Sequence, residues 1–243
     1  MTPTILVTGF GPFPGAPFNP TINLVERLTK LRRPALANVR IVGHVFATSY
    51  AAVDRDLPAL IAEHKPDALL MFGLAARTKF IRIETRARNA LALLPDASGK
   101  VLRRSVIADG EPVDRMMPAP QRRLLAAART AGVPVRLSRD AGRYLCNYLC
   151  WRASESGGPR LAAFVHVPLV KRHPRPKTIH SAHSRTRVRP SAGPSTGSSG
   201  NPVLWPLAPR LRGDERRMAL TAGDLFRAGQ NILVALAAAV NRT

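Results

Sequence analysis

Cysteine is scarce in this chain: its 243 residues include two, Cys146 and Cys150, four apart in YLCNYLCW. Two thiols are too few for a secreted disulfide framework, and residues at i and i+4 of a helix are awkwardly oriented for bridging. Structural zinc needs four Cys/His ligands at finger-like spacings, and no such set exists, so zinc is not expected. Aromatics make up 5% of residues and do not interleave with basic clusters, which argues against a stacking platform for nucleic acid. Long apolar runs are missing too. ILVALAAAV at 232–240 is far short of the roughly 20 residues a membrane span needs. The N-terminus, MTPTILVTGF, enters a short apolar strand with no basic n-region, long h-region or cleavage site. A soluble protein of a reducing cytoplasm is the expectation, with no membrane partner.

Acidic residues are also few, 15 against 37 Lys and Arg, for a net charge of +22. On its face that balance suggests nucleic acid or an anionic membrane. Residues 171–217, however, carry eleven Lys/Arg and two acids and so supply 9 of the 22 charges. The other 13 are spread over helix faces and strand ends and read as a solvated basic surface. Nucleic acid is not expected as a partner.

The length allows one sizeable α/β domain with a large core. Apolar patterning predicts strands at 5–10, 39–46, 67–73, 133–138 and 161–170, with a half-exposed strand over 80–89. It predicts helices at 22–31, 51–64 (interrupted by Pro58), 121–132, 144–153 and 224–240. Strands alternating with helices point to one three-layer α/β/α domain with a mainly parallel twisted sheet. We expect a catalytic domain over 1–170, a Pro/Ser/Gly-rich basic insertion over 171–217, and a C-terminal helix within 218–243 packed back on the domain. The insertion's composition cannot bury enough apolar surface to offset its ordering entropy, so disorder is expected. A natural linker and a shifted reading frame in a GC-rich gene both fit that composition.

Several motifs bear on chemistry. GFGPFPG (9–15) follows an apolar strand as a dinucleotide-binding turn would, but Pro12, Pro14 and Pro17 prevent a helix from starting at once. The helix starts instead at Asn19-Pro20, an N-cap followed by proline at N1. The stretch is thus a rigid loop carrying Phe10, Phe13 and Phe18 at the edge where open α/β sheets build their sites. His173, His180 and His183 fall in the insertion, while His44 and His64 read as structural or surface groups. His166 lies near the end of an apolar strand. Cys146 falls in the first turn of a helix, where the dipole is expected to lower its pKa, and Cys150, one turn deeper, reads as a small hydrophobe. A lone strand histidine such as His166 is more often a satisfied core residue than a catalyst. A cysteine with a histidine and a carboxylate elsewhere is nonetheless a candidate thiol-hydrolase triad, and Glu84, among Arg82, Arg86 and Arg88, stands out as the carboxylate.

LVTGFGPF…NP, GLAARTKFIRIETRARN, AGRYLCNYLC and FVHVP resemble, in this order, the signature blocks of pyroglutamyl peptidase I, a cysteine peptidase family. The resemblance covers roughly residues 4–170 and the last helix. It implies Cys146 as nucleophile, His166 as base and Glu84 as the group orienting the imidazole. It also implies Phe10, Phe13, Asn19 and Leu145 at the pocket for the pyroglutamyl ring. The expected activity is removal of N-terminal pyroglutamate from peptides through an acyl-enzyme, by a homodimer or homotetramer, and the resemblance implies neither metal nor cofactor. The chain departs from the family in having Leu74 where Gln is usual, and in the insertion. Two other readings stand beside this one: an impaired homologue, and a non-catalytic binder of nucleic acid or anionic surfaces through 171–217.

Overall fold

The structure, a computed structural model, describes residues 2–13, 15–155, 157–170 and 220–242. Its centre is β1 (Thr4–Phe10), buried at all seven positions, as a strand covered on both faces must be. Parallel neighbours β2 (Arg40–Phe46) and β3 (Ala68–Leu74) flank it, and β8 (Leu161–Val167) pairs in parallel with β3. β4 (Ile81–Glu84) then runs antiparallel to β8, and β7 (Val135–Ser138) lies parallel to β4. The order is β2-β1-β3-β8-β4-β7, with the last two strands reversed. A second, two-stranded antiparallel sheet joins β5 (Arg86–Arg88) to β6 (Asp114–Met116).

Side chains alternate across each strand, so the sheet divides its apolar residues between two cores. Ile5, Val7, Leu70, Phe72, Ile83 and Val165 face helices α1 (Pro20–Thr29), α3 (Gln121–Arg129) and α5 (Ala222–Val240). Leu6, Leu69, Met71, Ala162 and Phe164 face α2 (Tyr50–His64) and α4 (Leu145–Ala153). This is the expected α/β fold, helices on both faces of a mostly parallel sheet. Val170 and Leu220 are both buried in the first core, so the described chain leaves and re-enters the same cluster. The expected insertion at 171–217, with His173, His180 and His183, lies outside the described residues.

Local chemistry explains the helix starts. Asn19 caps α1, accepting from Thr21 N at 3.1 Å ahead of Pro20, as the sequence suggested. Thr221 and Asp224 form a capping box on α5. Two expectations need correction. Pro58 does not interrupt α2, which runs unbroken through it. Pro58 and Asp54, whose carbonyl loses its helical donor there, are both exposed, and water can satisfy that carbonyl. The single strand expected over 80–89 is two strands in different sheets. The chain turns at Thr85, whose N–H and hydroxyl both donate to Ser138 O at 2.7 and 2.9 Å, and β5 then finds β6.

Candidate active site

Strand alternation directs Arg82, Glu84, Gly73 and His166 to the face covered by α4. There the antiparallel β4–β8 ladder sets Arg82 opposite His166 and Glu84 opposite Phe164. Glu84 is fully buried, His166 is nearly so, and His166 Nδ1 lies 2.7 Å from Glu84 Oε1. Burial works against the Glu84 carboxylate, but the His166 hydrogen bond, with help from Ser138 and Arg82, holds its pKa below the usual range. An ionised Glu84 can only accept, so Nδ1 carries the proton and Nε2 is the imidazole's free nitrogen. Burial lowers the His166 pKa and outweighs the opposing pull of Glu84, so the ring is neutral at rest.

Cys146 is the second residue of α4, which starts after Tyr144 with no side-chain cap. Its thiol stands over Gly73: a Cβ built there would meet Cys146 Sγ at 2.8 Å and Phe164 Cζ at 2.6 Å. Gly73 is the registered neighbour of His166 on β8. Absence of a side chain at this one position thus lets the thiol approach the strand beside the imidazole. The expectation of a lowered thiol pKa is corrected. Burial, followed by the Glu84 charge, pushes Cys146 up to about 12, and the helix start does not overcome them. Cys150 is fully buried, and desolvation raises it well above its ordinary value. Both cysteines are free.

The first loop lies at the same end of the sheet. Phe10 is buried, its ring 5.9 Å from that of Phe46, while Phe13 is half-buried and bridges to Ala16. Asn19 is buried, and its Nδ2 donates to Gly11 O at 3.1 Å, so this side chain braces the loop as well as capping α1. Leu145, the first residue of α4, is buried in the core between that helix and the sheet. Leu74 ends β3 half-buried, on the alternate face from Gly73. Glu84 and His166 are thus brought into direct contact with Cys146 packed beside them, whereas Phe10, Asn19 and Leu145 are held chiefly by the protein itself.

A protein-family model described as Pyroglutamyl peptidase matches residues 3–186. The chain belongs to the pyroglutamyl peptidase family. A pyrrolidone-carboxylate peptidase of Pyrococcus furiosus is 30% identical over 192 residues, spanning 77% of this chain and 88% of that protein. One from Clavibacter michiganensis is 32% identical over 171 residues, spanning 68% and 78%. The crystal structure of Pf-PCP(1-204)-C superposes with a TM-score of 0.63 at 31% identity, covering 69% of this chain and 79% of that one. A Bacillus amyloliquefaciens pyroglutamyl peptidase I shares the fold, with a TM-score of 0.70 at 23% identity over 97% of both chains.

In this family member the sequence reading missed two supports of the site. Asn147, fully buried, accepts from Arg88 N at 2.8 Å and donates to Arg88 O and Ala90 O at 2.8 and 3.0 Å. It ties the start of α4 to β5. An asparagine inside an apolar helix was the available signal, because a buried amide needs partners. Gly73 was legible as a strand-ending glycine, but nothing local links it to Cys146. Among the described residues no cluster of three or more His, Cys, Asp or Glu could hold a metal, and no helix is long and apolar enough to cross a membrane.

Proposed function

We propose that this chain removes N-terminal pyroglutamate from peptides, with Cys146 as nucleophile, His166 as general base and then general acid, and Glu84 as the group that fixes the imidazole. The observation that carries the reading is the buried 2.7 Å His166–Glu84 contact, beside a thiol seated over Gly73. Membership of the pyroglutamyl peptidase family supplies the substrate class. A thiol near 12 beside a neutral imidazole favours proton transfer during attack over a preformed ion pair. His166 Nε2 takes the thiol proton as Sγ bonds to the pyroglutamyl carbonyl carbon. The carbonyl electron pair moves to oxygen, where backbone N–H groups at the start of α4, free of helical acceptors, can receive it. Collapse of this intermediate breaks the C–N bond, and the imidazolium returns its proton to the departing amine. Water, deprotonated by the same nitrogen, then cleaves the thioester. Glu84 holds Nδ1–H throughout and stabilises the imidazolium.

An uncharged lactam suits a slot with an aromatic wall and few polar groups, and we assign that slot to the first loop, with Phe10 and Phe13 as its wall and Asn19 and Leu145 supporting it. Two free thiols support a reducing compartment such as the cytoplasm, and family resemblance supports a homodimer or homotetramer. The test is hydrolysis of a chromogenic pyroglutamyl amide against the matching prolyl and glutamyl amides. Turnover of the pyroglutamyl compound alone supports the assignment. Its absence, with the fold intact, would leave an impaired homologue.

A further inference from the structure

Arg82 is drawn into the triad by the strand reversal that makes it the cross-strand partner of His166. Its Nη2 stands 3.2 Å from His166 Nδ1, and its Nε stands 3.3 Å from Glu84 Oε1. Nδ1 points its proton at Glu84, so no lone pair is left there for the guanidinium to bond. Arg82 Nε is buried and makes no hydrogen bond among the described residues. Placed at bonding distance without well-formed bonds, the guanidinium acts on this site as a charge.

Building on the hydrolytic reading above, we propose that Arg82 is a positioning residue that balances the charge of the Glu84–His166–Cys146 set and so fixes the pH range in which the thiol reacts. With Arg82 present, guanidinium and carboxylate cancel at rest, and the set stays neutral when the proton moves from Sγ to Nε2. Without it the set carries one net negative charge, which opposes the thiolate and strengthens the imidazole as a base. The Arg82 charge favours ionisation of Cys146, opposing burial and Glu84, and adds to burial in keeping His166 neutral. Other groups facing the set do not duplicate this role. Asp140, after β7, acts on His166 in the opposite sense and lies 3.5 Å from Arg88 Nη1. Arg136, opposite Arg82 on β7, is held over the Phe80 ring at 4.4 Å. Ser138, Tyr144 and Cys150 bring no positive charge.

The experiment compares Arg82→Ala, Arg82→Gln and Arg82→Lys with the wild-type chain. One readout is the rate at which iodoacetamide alkylates Cys146 at pH 8, followed by mass spectrometry of its peptide. Far below the thiol's midpoint this rate follows the thiolate fraction, so losing the nearby charge should slow it roughly 3- to 10-fold in the Ala and Gln variants. The second readout is the acid limb of kcat/KM on a pyroglutamyl amide. A more basic His166 should move it to higher pH by about half a unit to one unit. Arg82→Lys, which keeps the charge but not the fork, should restore both. A purely structural role would leave the limb in place and speed alkylation by loosening the site. Folded Ala and Gln variants with unshifted rate and limb, or a Lys variant resembling Ala, would overturn the inference. If wild-type chain cleaves no pyroglutamyl amide while the alkylation shift is seen, the substrate assignment fails and the role of Arg82 in charge balance stands.

Discussion

The two cysteines differ by position, not chemistry. Cys146 lies beside the His166–Glu84 pair, whereas Cys150 is sealed in the core behind it. Cys146→Ser should cut kcat/KM on a pyroglutamyl amide by on the order of 10⁴ or more, because a hydroxyl is a far poorer nucleophile in this setting. Cys150→Ser should retain most activity while losing about 1–3 kcal/mol of stability in a denaturant titration, since it places a hydroxyl in an apolar site. His166→Ala should remove nearly all turnover, whereas Glu84→Gln should leave a measurable residue, because the carboxylate orients the ring and does not itself carry the transferred proton. Wild-type turnover in His166→Ala would defeat the thiol-hydrolase reading. Gly73→Ala tests the seating of the thiol. Its added methyl would press on Phe164, buried in the sheet, and displace Cys146 Sγ. A misplacement of this kind should lower kcat by about 10²-fold, and a thermal melt would show the accompanying strain.

At the scale of elements, the loop before the site depends on one carboxylate. Asp96 is buried and accepts from Tyr50 N at 3.0 Å, Ser98 N at 2.9 Å, Ser98 Oγ at 2.6 Å and Lys100 N at 3.0 Å. It thereby joins the first turn of α2 to residues 95–100, whose Pro95 O also accepts from Tyr144 Oη, next to the start of α4, at 2.9 Å. Burial raises the Asp96 pKa, but these donors hold it, on balance, below the ordinary value. A depressed folded pKa gives stability that is fully present above the unfolded value, near 4, and lost as pH falls through the folded one. Asp96→Asn should therefore cost about 1–3 kcal/mol at pH 7. The gap from wild type should narrow as urea midpoints are taken down to pH 3. A gap independent of pH would mean that the carboxylate charge does not matter.

For the whole molecule, Val170 and Leu220 share one core cluster, which supports the proposal that residues 171–217 interrupt a single catalytic domain without building it. Replacing them by a short Gly/Ser bridge should leave α5 docked and activity on the pyroglutamyl amide unchanged. Loop-closure entropy changes by only about 0.6 kcal/mol per doubling of length, so the melting temperature should move little. Net charge would fall from +22 by the 9 carried in the segment, and solubility at low salt should rise. Loss of activity with an intact circular dichroism spectrum would assign the segment a part in the site or the oligomer.

What the sequence by itself determined is local. The alternation of apolar runs set the five α-helices of the described residues and most of their strands, Asn19-Pro20 marked the start of α1, and four short blocks marked the family and the triad candidates. These features follow from periodicities of 2 and 3.6 residues and from cap and turn chemistry, all confined to a few neighbours. Tertiary structure alone decided the rest. Glu84 and His166, 82 residues apart, meet because β4 is reversed against β8, and no local pattern encodes a strand's direction in the sheet. That reversal also brings in Arg82, which the sequence offered only as one arginine among several. The sign of the Cys146 shift was likewise beyond the sequence. Helix position predicts a lowered pKa, but burial against Gly73 and Phe164 beside the Glu84 charge raises it, because desolvation and charge proximity depend on how the layers pack.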